Sequence, residues 1–456
     1  MSFEQRWDYA EALRAIWERS AYDRGFVSNP FWGDAAATLG LRRTERLLER
    51  LGRPQDGCGI IHVAGSKGKG SACAFAAAIL RSAGYRAGLY TSPHLHSFRE
   101  RIAVDGESIA EDAFADLTRT ALFEATSLEQ DEPELGEITA FELTTAMALR
   151  HFANEGCDLS VVEVGMGGTL DSTNVVTPLV SAITTLDYEH TRVLGDRIEE
   201  IAANKAGIIK PGRPVVVSAQ PAEVLEVIER AATDAGSDLL LSGQSWEMTG
   251  SWTDCIAEGP WGRYEGLRSG LVGSHQVENA GVAIAATWLL NGHGYSVPES
   301  AARGGLATVR WPGRFEVVDA PDRPRIILDG AHTPASAAAL ANAFREIEPE
   351  RAAAVVLAVM ADKDPLAMAR ALAPVATAFV VTSTRNPRAM GTKMLAEGLS
   401  TVEKPVVTAA GVPAALAAAE RHAGPEGLVI VTGSLATVAE AREALGLGTP
   451  DPDVTG

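Results

Sequence analysis

The stretch Gly65–Ser71 (G-S-K-G-K-G-S) follows an apolar run, Ile60–Ala64, and precedes a helical pattern over Ala72–Ala83. Strand, glycine loop and helix in that order are the context of a phosphate site. Glycines at Gly65, Gly68 and Gly70 let backbone N–H groups converge on phosphate oxygens, and the following helix N-terminus adds partial positive charge. In such a site Lys69 meets the β- and γ-phosphates, and Ser71 faces the phosphates or their Mg²⁺. The spacing is not G-x-x-x-x-G-K-[ST], because Val63 stands where the first glycine should be. A glycine-rich turn carrying two solvated lysines is the plainer reading of the same residues.

A phosphate loop needs a sheet to hang from. Ile60–Ala64, Ala87–Tyr90, Leu159–Val164, Ser181–Leu186 and Pro214–Val217 are continuously rather than alternately apolar. That pattern predicts strands buried on both faces of a parallel sheet. A second series comprises Arg325–Leu328, Ala353–Met360, Ala378–Val381 and Leu428–Val431. It is interleaved with alanine-rich helical stretches such as Ala335–Arg345 and Pro413–Ala423. The expected fold class is α/β, with two doubly wound domains. We place the boundary between residues 309 and 310. There Arg310–Arg314 (R-W-P-G-R) comes after a helical pattern over Glu278–Leu290, and Gly304-Gly305 and Pro312-Gly313 interrupt the periodicity. The Gly- and Trp-rich segment Gly243–Leu267 reads as a β-hairpin extension, and the tail Gly446–Gly456 as frayed.

Composition narrows the function. The chain has 456 residues, 46% hydrophobic and 22% charged, as expected of a globular protein with more than one core. No apolar run is long enough to span a bilayer, and the acids and aromatics of Met1–Glu11 are unlike a signal peptide. The four cysteines are scattered without a C-x-x-C pair, which suits reduced thiols in the cytoplasm. A net charge of −19 argues against nucleic acid or an anionic membrane as partner. Any anionic substrate must be held by local basic groups and helix ends.

The loop resembles that of the Mur ligase superfamily, in its folylpolyglutamate synthase/dihydrofolate synthase branch, where G-T-[NK]-G-K-G-S is usual and Ser66 replaces threonine. Further segments match in order. Leu89–Leu95 with Arg99–Ile102 resembles T-S-P-H-L…E-R-I, and Thr139–Glu142 resembles T-x-F-E. Val162–Asn174 resembles E-V-G-x-G-G-x-x-D-[AS]-T-N, and Asp187–His190 with Ile201–Ile208 resembles D-H…I-A-x-x-K-A-G-I. Gly273–Asn279, Pro312–Glu316, Asp329–Pro334, Asp362–Asp364 and Val431–Ser434 complete the series. The matches run from about residue 40 to residue 435. The peptidoglycan Mur ligases carry a nucleotide-sugar domain ahead of the loop, for which the first 64 residues leave little room.

The resemblance implies an N-terminal P-loop ATPase domain of Mur ligase type (residues 1–309) and a smaller C-terminal Rossmann-like domain (310–456). It also implies an ATP-dependent ligase joining L-glutamate to a folate or dihydropteroate carboxylate. A carboxylate is a poor electrophile, so it is first phosphorylated to an acyl phosphate, which the amine then attacks. Ser92, Glu163 and His190 match the metal ligands, for Mg²⁺ with two sites. Their plainer roles are a turn cap, an acid paired with lysine and a core histidine. Lys205, in a small apolar run, matches a carbamylated lysine; an unmodified lysine paired with an acid is its alternative. Gly65, Gly68, Lys69, Gly70 and Ser71 are expected on the nucleotide. Asn279, read as opening a helix, matches an adenine contact or serves as an N-cap. Arg314 and Asp329 match residues reaching the nucleotide across a cleft, with surface ion pairing as the alternative. His332 and Ser434 fall at the glutamate end. Thr139, Phe141, Asp171 and Ser172 fall at the pterin end, with Phe141 stacking and Asp171 accepting from the ring amide. Phe141 also reads as an ordinary core aromatic. Thr333 replaces the usual asparagine of D-G-A-H-N-P, and Thr169 a usual arginine or aspartate. The family further implies a monomer. A Mur-type ligase with another carboxylate acceptor, or a non-catalytic nucleotide-binding module, are the competing readings.

Overall fold

A computed structural model describes residues 7–19, 34–188 and 194–454. His190 lies outside the described residues. The first sheet comprises β1 (Gly59–Ala64), β2 (Ala87–Tyr90), β3 (Ile102–Val104), β4 (Glu107–Ser108), β5 (Leu159–Glu163), β6 (Val180–Ile183), β7 (Val215–Val217) and β8 (Leu239–Leu241). Its order is β4-β3-β2-β5-β1-β6-β7-β8. The strands from β2 to β8 in that order pair in parallel, and β3 and β4 add an antiparallel edge.

Continuous apolarity has the predicted cause: β5, β6 and β7 are buried along their whole length. On one face Ile61, Val63 and Val161 pack under the helices Lys69–Ser82, Ser274–Leu289 and Glu299–Thr308. On the other, Ile60 and Val162 meet Glu111–Asp131 and Ala140–Asn154. Each such Val, Leu or Ile contributes about 1.5–3 kcal/mol on burial. The carboxyl ends of β1 and β5 lie side by side, with Val63 opposite Glu163. An open α/β sheet binds its ligands at that edge.

Gly304-Gly305 does not break a helix, contrary to the sequence reading. Both lie inside Glu299–Thr308, and a Cβ on Gly305 would sit 2.5 Å from the Ile79 amide nitrogen. The pair exists so that this helix can press onto the one behind the phosphate loop. The Gly- and Trp-rich segment is an antiparallel meander, β9 (Glu247–Ser251), β10 (Asp254–Gly259) and β11 (Gly262–Leu267). It seats Trp246 and Met248 against Gly281.

The second lobe is built on β12 (Glu316–Val318), β13 (Arg325–Leu328), β14 (Ala353–Leu357), β15 (Ala376–Val381), β16 (Val406–Thr408) and β17 (Leu428–Thr432). The order is β12-β13-β17-β14-β15-β16, parallel apart from the β12 edge. Helices cover both faces, giving two cores. The tail is not frayed through Val454: Asp451 accepts from Tyr9 Oη and from the Phe98 amide, each at 2.7 Å. Its short apolar and turn residues gave no sign of those distant partners. No helix among the described residues is long and apolar enough to cross a membrane.

Candidate active site

The loop after β1 divides its amides between two duties. Ser66 and Lys67 N–H both donate to Thr185 O at 3.0 Å, and Ser66 Oγ to Asp187 O at 2.9 Å, tying the loop to the segment after β6. Beyond them Gly68 (φ 86°) precedes the helix Lys69–Ser82 without a side-chain cap. The first-turn amides of Lys69, Gly70 and Ser71 therefore form the anion-binding end. A Cβ at Gly68 would lie 2.1 Å from Asn279 Oδ1. Gly68→Ala meets both that clash and a left-handed backbone, about 2 kcal/mol of strain. We expect it to raise the KM for ATP about tenfold or more in a steady-state ADP-release assay.

Two lysines converge beneath this loop. Lys69 Nζ and Lys205 Nζ both donate to Gly65 O, at 3.0 and 2.9 Å. Lys205 is 1% exposed. Its helix, Ile198–Ala206, docks on the turn after β5, where Asn204 O accepts from Thr169 N–H and Oγ at 2.8 and 2.9 Å. Thr169, the departure at this position, thus anchors the lysine's helix.

Glu163 ends β5 at 4% exposure and accepts from Ser92 N–H at 3.1 Å. Burial pushes its carboxyl up to about 7, against the lowering influence of Lys69, that N–H and Arg314. A carboxylate so deeply desolvated favours a cation beside it. No three-residue group of His, Cys, Asp and Glu suited to a metal occurs among the described residues. Glu163 and the Ser92 hydroxyl remain as oxygen donors, which fits Mg²⁺ keeping water and phosphate oxygens in its shell.

The second lobe faces this edge. Arg314 influences both Glu163 in the first lobe and Asp329 in its own. Asp329 is not a surface ion-pair partner: its oxygens accept from Phe315 N–H at 2.8 Å and Ala331 N–H at 2.9 Å, and burial raises its pKa. His332 Nδ1 bonds Gly330 O at 2.9 Å, so Nδ1 carries the proton and Nε2 is left as an acceptor. Burial, then Lys67 of the phosphate loop, lowers His332 to about 4 and keeps it neutral.

One expectation needs correction, and the other expected site residues have local partners. Asn279 does not open a helix; it lies in the second turn of Ser274–Leu289, donating to Gln276 Oε1 at 3.0 Å, with its amide against Gly68. Asp171 is engaged in its own turn. Its acceptor sites are used by Met166 N–H (2.8 Å), Thr173 N–H (3.0 Å), Thr173 Oγ (2.5 Å) and Gly165 N–H. An ionised carboxylate has about four such sites, so Asp171 shapes the turn. Ser172 is buried against Thr145 Oγ1 at 3.2 Å. Ser434 caps the helix Leu435–Ala444 through Thr437 N–H at 3.1 Å, and its hydroxyl also meets Thr437 Oγ1 at 2.7 Å. Thr139 caps Ala140–Asn154. Phe141 is half-buried, its ring where a Cβ of Gly165 would be. Thr333 caps Pro334–Ile347; Thr and Asn both serve as N-caps, so the exchange preserves the local fold.

Sequence reasoning missed Trp311, whose indole nitrogen would lie 3.3 Å from a Cβ at Gly70. An aromatic beside the lobe boundary was the available signal. It also missed His62, buried within β1 and bonded at 2.8 Å to Thr173 Oγ1, and so linked to Asp171. Burial lowers His62 to about 3. A depressed histidine binds protons better unfolded, so its contribution is intact above 6.5 and lost as pH falls towards 3. Between pH 7 and 5 this amounts to about 2 kcal/mol. His62→Gln keeps an N–H for Thr173 without titrating, and urea unfolding at the two pH values should show that much less acid sensitivity.

Comparison with known proteins agrees with this geometry. Residues 63–287 match the Mur ligase middle domain and residues 313–435 the Mur ligase glutamate ligase domain. A dihydrofolate synthase/folylpolyglutamate synthase of Bacillus subtilis is 34% identical over 422 residues, covering 89% of this chain and 95% of the relative. The solved Mycobacterium tuberculosis folylpolyglutamate synthase complexed with ADP superposes with a TM-score of 0.86 at 30% identity, covering 97% of this chain and 99% of that one. Escherichia coli FolC in complex with DHPP and ADP gives 0.80 at 31%, covering 95% and 97%. With a phosphate loop, a buried carboxylate beside it and a second lobe facing both, the chain belongs to the folylpolyglutamate synthase/dihydrofolate synthase family of Mur ligases and is an ATP-binding acid–amino-acid ligase.

Proposed function

We propose that this protein joins L-glutamate to the carboxylate of a folate or dihydropteroate, through an acyl phosphate formed from the ATP γ-phosphate. The observation that carries the reading is the buried Glu163 beside the phosphate loop, under the electrostatic influence of Lys69 and, from the second lobe, of Arg314. The relatives complexed with ADP and with DHPP support the two substrate classes.

In this reading the amides of Lys69, Gly70 and Ser71 and the Lys69 ammonium hold the β- and γ-phosphates, with Gly65 and Gly68 giving the loop its close approach. Asn279 contacts the adenine side, while Arg314 and Asp329 close on the nucleotide from the second lobe. Ser92, Glu163 and His190 would hold Mg²⁺, and the family resemblance implies a second ion. Bound there, the metal offsets the phosphate charge as a Lewis acid. Lys205, carbamylated, would supply a negative group beneath the phosphate loop, where its Nζ meets Gly65 O. His332 Nε2 accepts a hydrogen bond from the incoming glutamate ammonium. Thr139 and Phe141 line the pterin end, with Asp171 and Ser172 fixing its wall; Ser434 keeps the opposite turn in shape. Closure of residues 310–456 over residues 1–309 shields the acyl phosphate from water. A cytoplasmic monomer is consistent with the scattered thiols and with the family.

The test is ADP release with glutamate plus either dihydropteroate or tetrahydrofolate, with product mass counting the glutamates added. Stimulation by at least one pterin acceptor is expected; silence with every pterin would remove the proposal. The competing acceptor classes are covered by the same assay run with nucleotide-sugar peptides.

A further inference from the structure

The last described residues leave the second lobe and return to the first. After the helix Leu435–Ala444, Gly446 turns at φ 71°, and Arg442 Nη2 holds Leu447 O at 2.7 Å. The chain then reaches the loop that starts at Ser92. Asp451 N–H donates to His96 O at 3.1 Å, and its carboxylate accepts from Phe98 N–H and Tyr9 Oη. Tyr9 belongs to the first described helix, Tyr9–Glu18, and its hydroxyl also meets Ser97 Oγ at 3.2 Å. Val454 packs against the core that holds Tyr9 and Phe98.

The same loop is gripped from two other sides. Glu100 gathers the N–H groups of Leu95, His96 and Ser97 at 2.7, 2.9 and 2.9 Å. The His96 ring accepts from Arg442 Nε at 3.1 Å through Nε2, so its Nδ1–H faces Glu443 at 3.7 Å. A Cβ on Gly448 would strike that ring at 2.3 Å. Arg442 also pairs with Glu316 at the start of β12. Loop, tail and final helix form one polar joint between the lobes, on the loop that carries Ser92.

We propose that residues 446–454 are an interlobe strap, and that Asp451, Arg442 and His96 are positioning residues. They keep the Ser92 loop, and with it the second lobe, in register over the phosphate loop. The proposal rests on the reading of Ser92, Lys69 and Arg314 as one nucleotide site. Cutting the strap loosens a nucleotide held from both lobes, but leaves a pterin held by first-lobe residues alone.

The test uses full-length Asp451→Ala and the milder Asp451→Asn, which keeps one acceptor oxygen. Amide exchange at Leu95–Phe98 in the nucleotide-free protein should rise about tenfold in the alanine variant and less in the asparagine variant. The KM for MgATP should rise about tenfold, with kcat within about threefold and the pterin KM unchanged. Unchanged exchange, or both KM values rising together with a fall in Tm, would overturn the strap. Should the wild-type protein turn over no pterin at all, the substrate reading fails, while the exchange rates still decide the strap.

Discussion

Lys205→Met lowers kcat about a thousandfold while the protein stays folded. The side chain is almost fully enclosed, and methionine fills a similar volume with an unbranched apolar chain. The Nζ–H bond to Gly65 O is lost with the amine, about 1 kcal/mol of stability for an ordinary hydrogen bond. Loss of a preorganised charged group beside the transferring phosphoryl is worth about a thousandfold in rate. The carbamate makes two further demands. Lys205→Arg, which keeps a donor and the positive charge of an unmodified lysine, is equally slow, because a guanidinium does not add CO₂. Wild-type turnover falls in CO₂-depleted buffer and returns with bicarbonate, whereas both variants are indifferent. An active arginine variant would leave Lys205 a purely cationic role.

Glu163→Gln separates activity from stability in opposite directions. The carboxylate lies at the end of β5, 4% exposed, and is raised towards neutrality by burial. Such a charge is there for a ligand, since it opposes folding. The amide keeps the shape and an oxygen for Ser92 N–H. ADP release should fall about a thousandfold, with loss of metal and phosphoryl charge compensation. Urea unfolding of the nucleotide-free protein should show a gain of about 2 kcal/mol. A variant that is both inactive and destabilised would make Glu163 a structural acid instead.

The fold was legible because its strands are buried on both faces, and continuous apolar runs such as Leu159–Glu163 and Leu428–Thr432 have few other uses. Phosphate-loop chemistry was legible because glycines and lysines in that order serve local geometry. What stayed hidden shares a physical cause. Asp171 and Ser434 are residue types that bind substrates or fold turns equally well, and nothing along the chain announces the local hydrogen bonds they make. Gly304-Gly305 looked like an interruption because helix packing is invisible along the chain. The tail looked loose because its partners, Tyr9 and Phe98, lie more than 350 residues away in sequence. His62 gave no signal, being one polar residue in an apolar strand.

Two lobes that meet over a nucleotide should convert a carboxylate into a mixed phosphoric anhydride. An acceptor whose reacting carboxylate carries ¹⁸O tests it most directly, with the label followed by mass spectrometry after turnover with ATP and glutamate. One ¹⁸O atom per turnover is expected in inorganic phosphate and none in ADP. Unlabelled phosphate, or label in AMP, would contradict it.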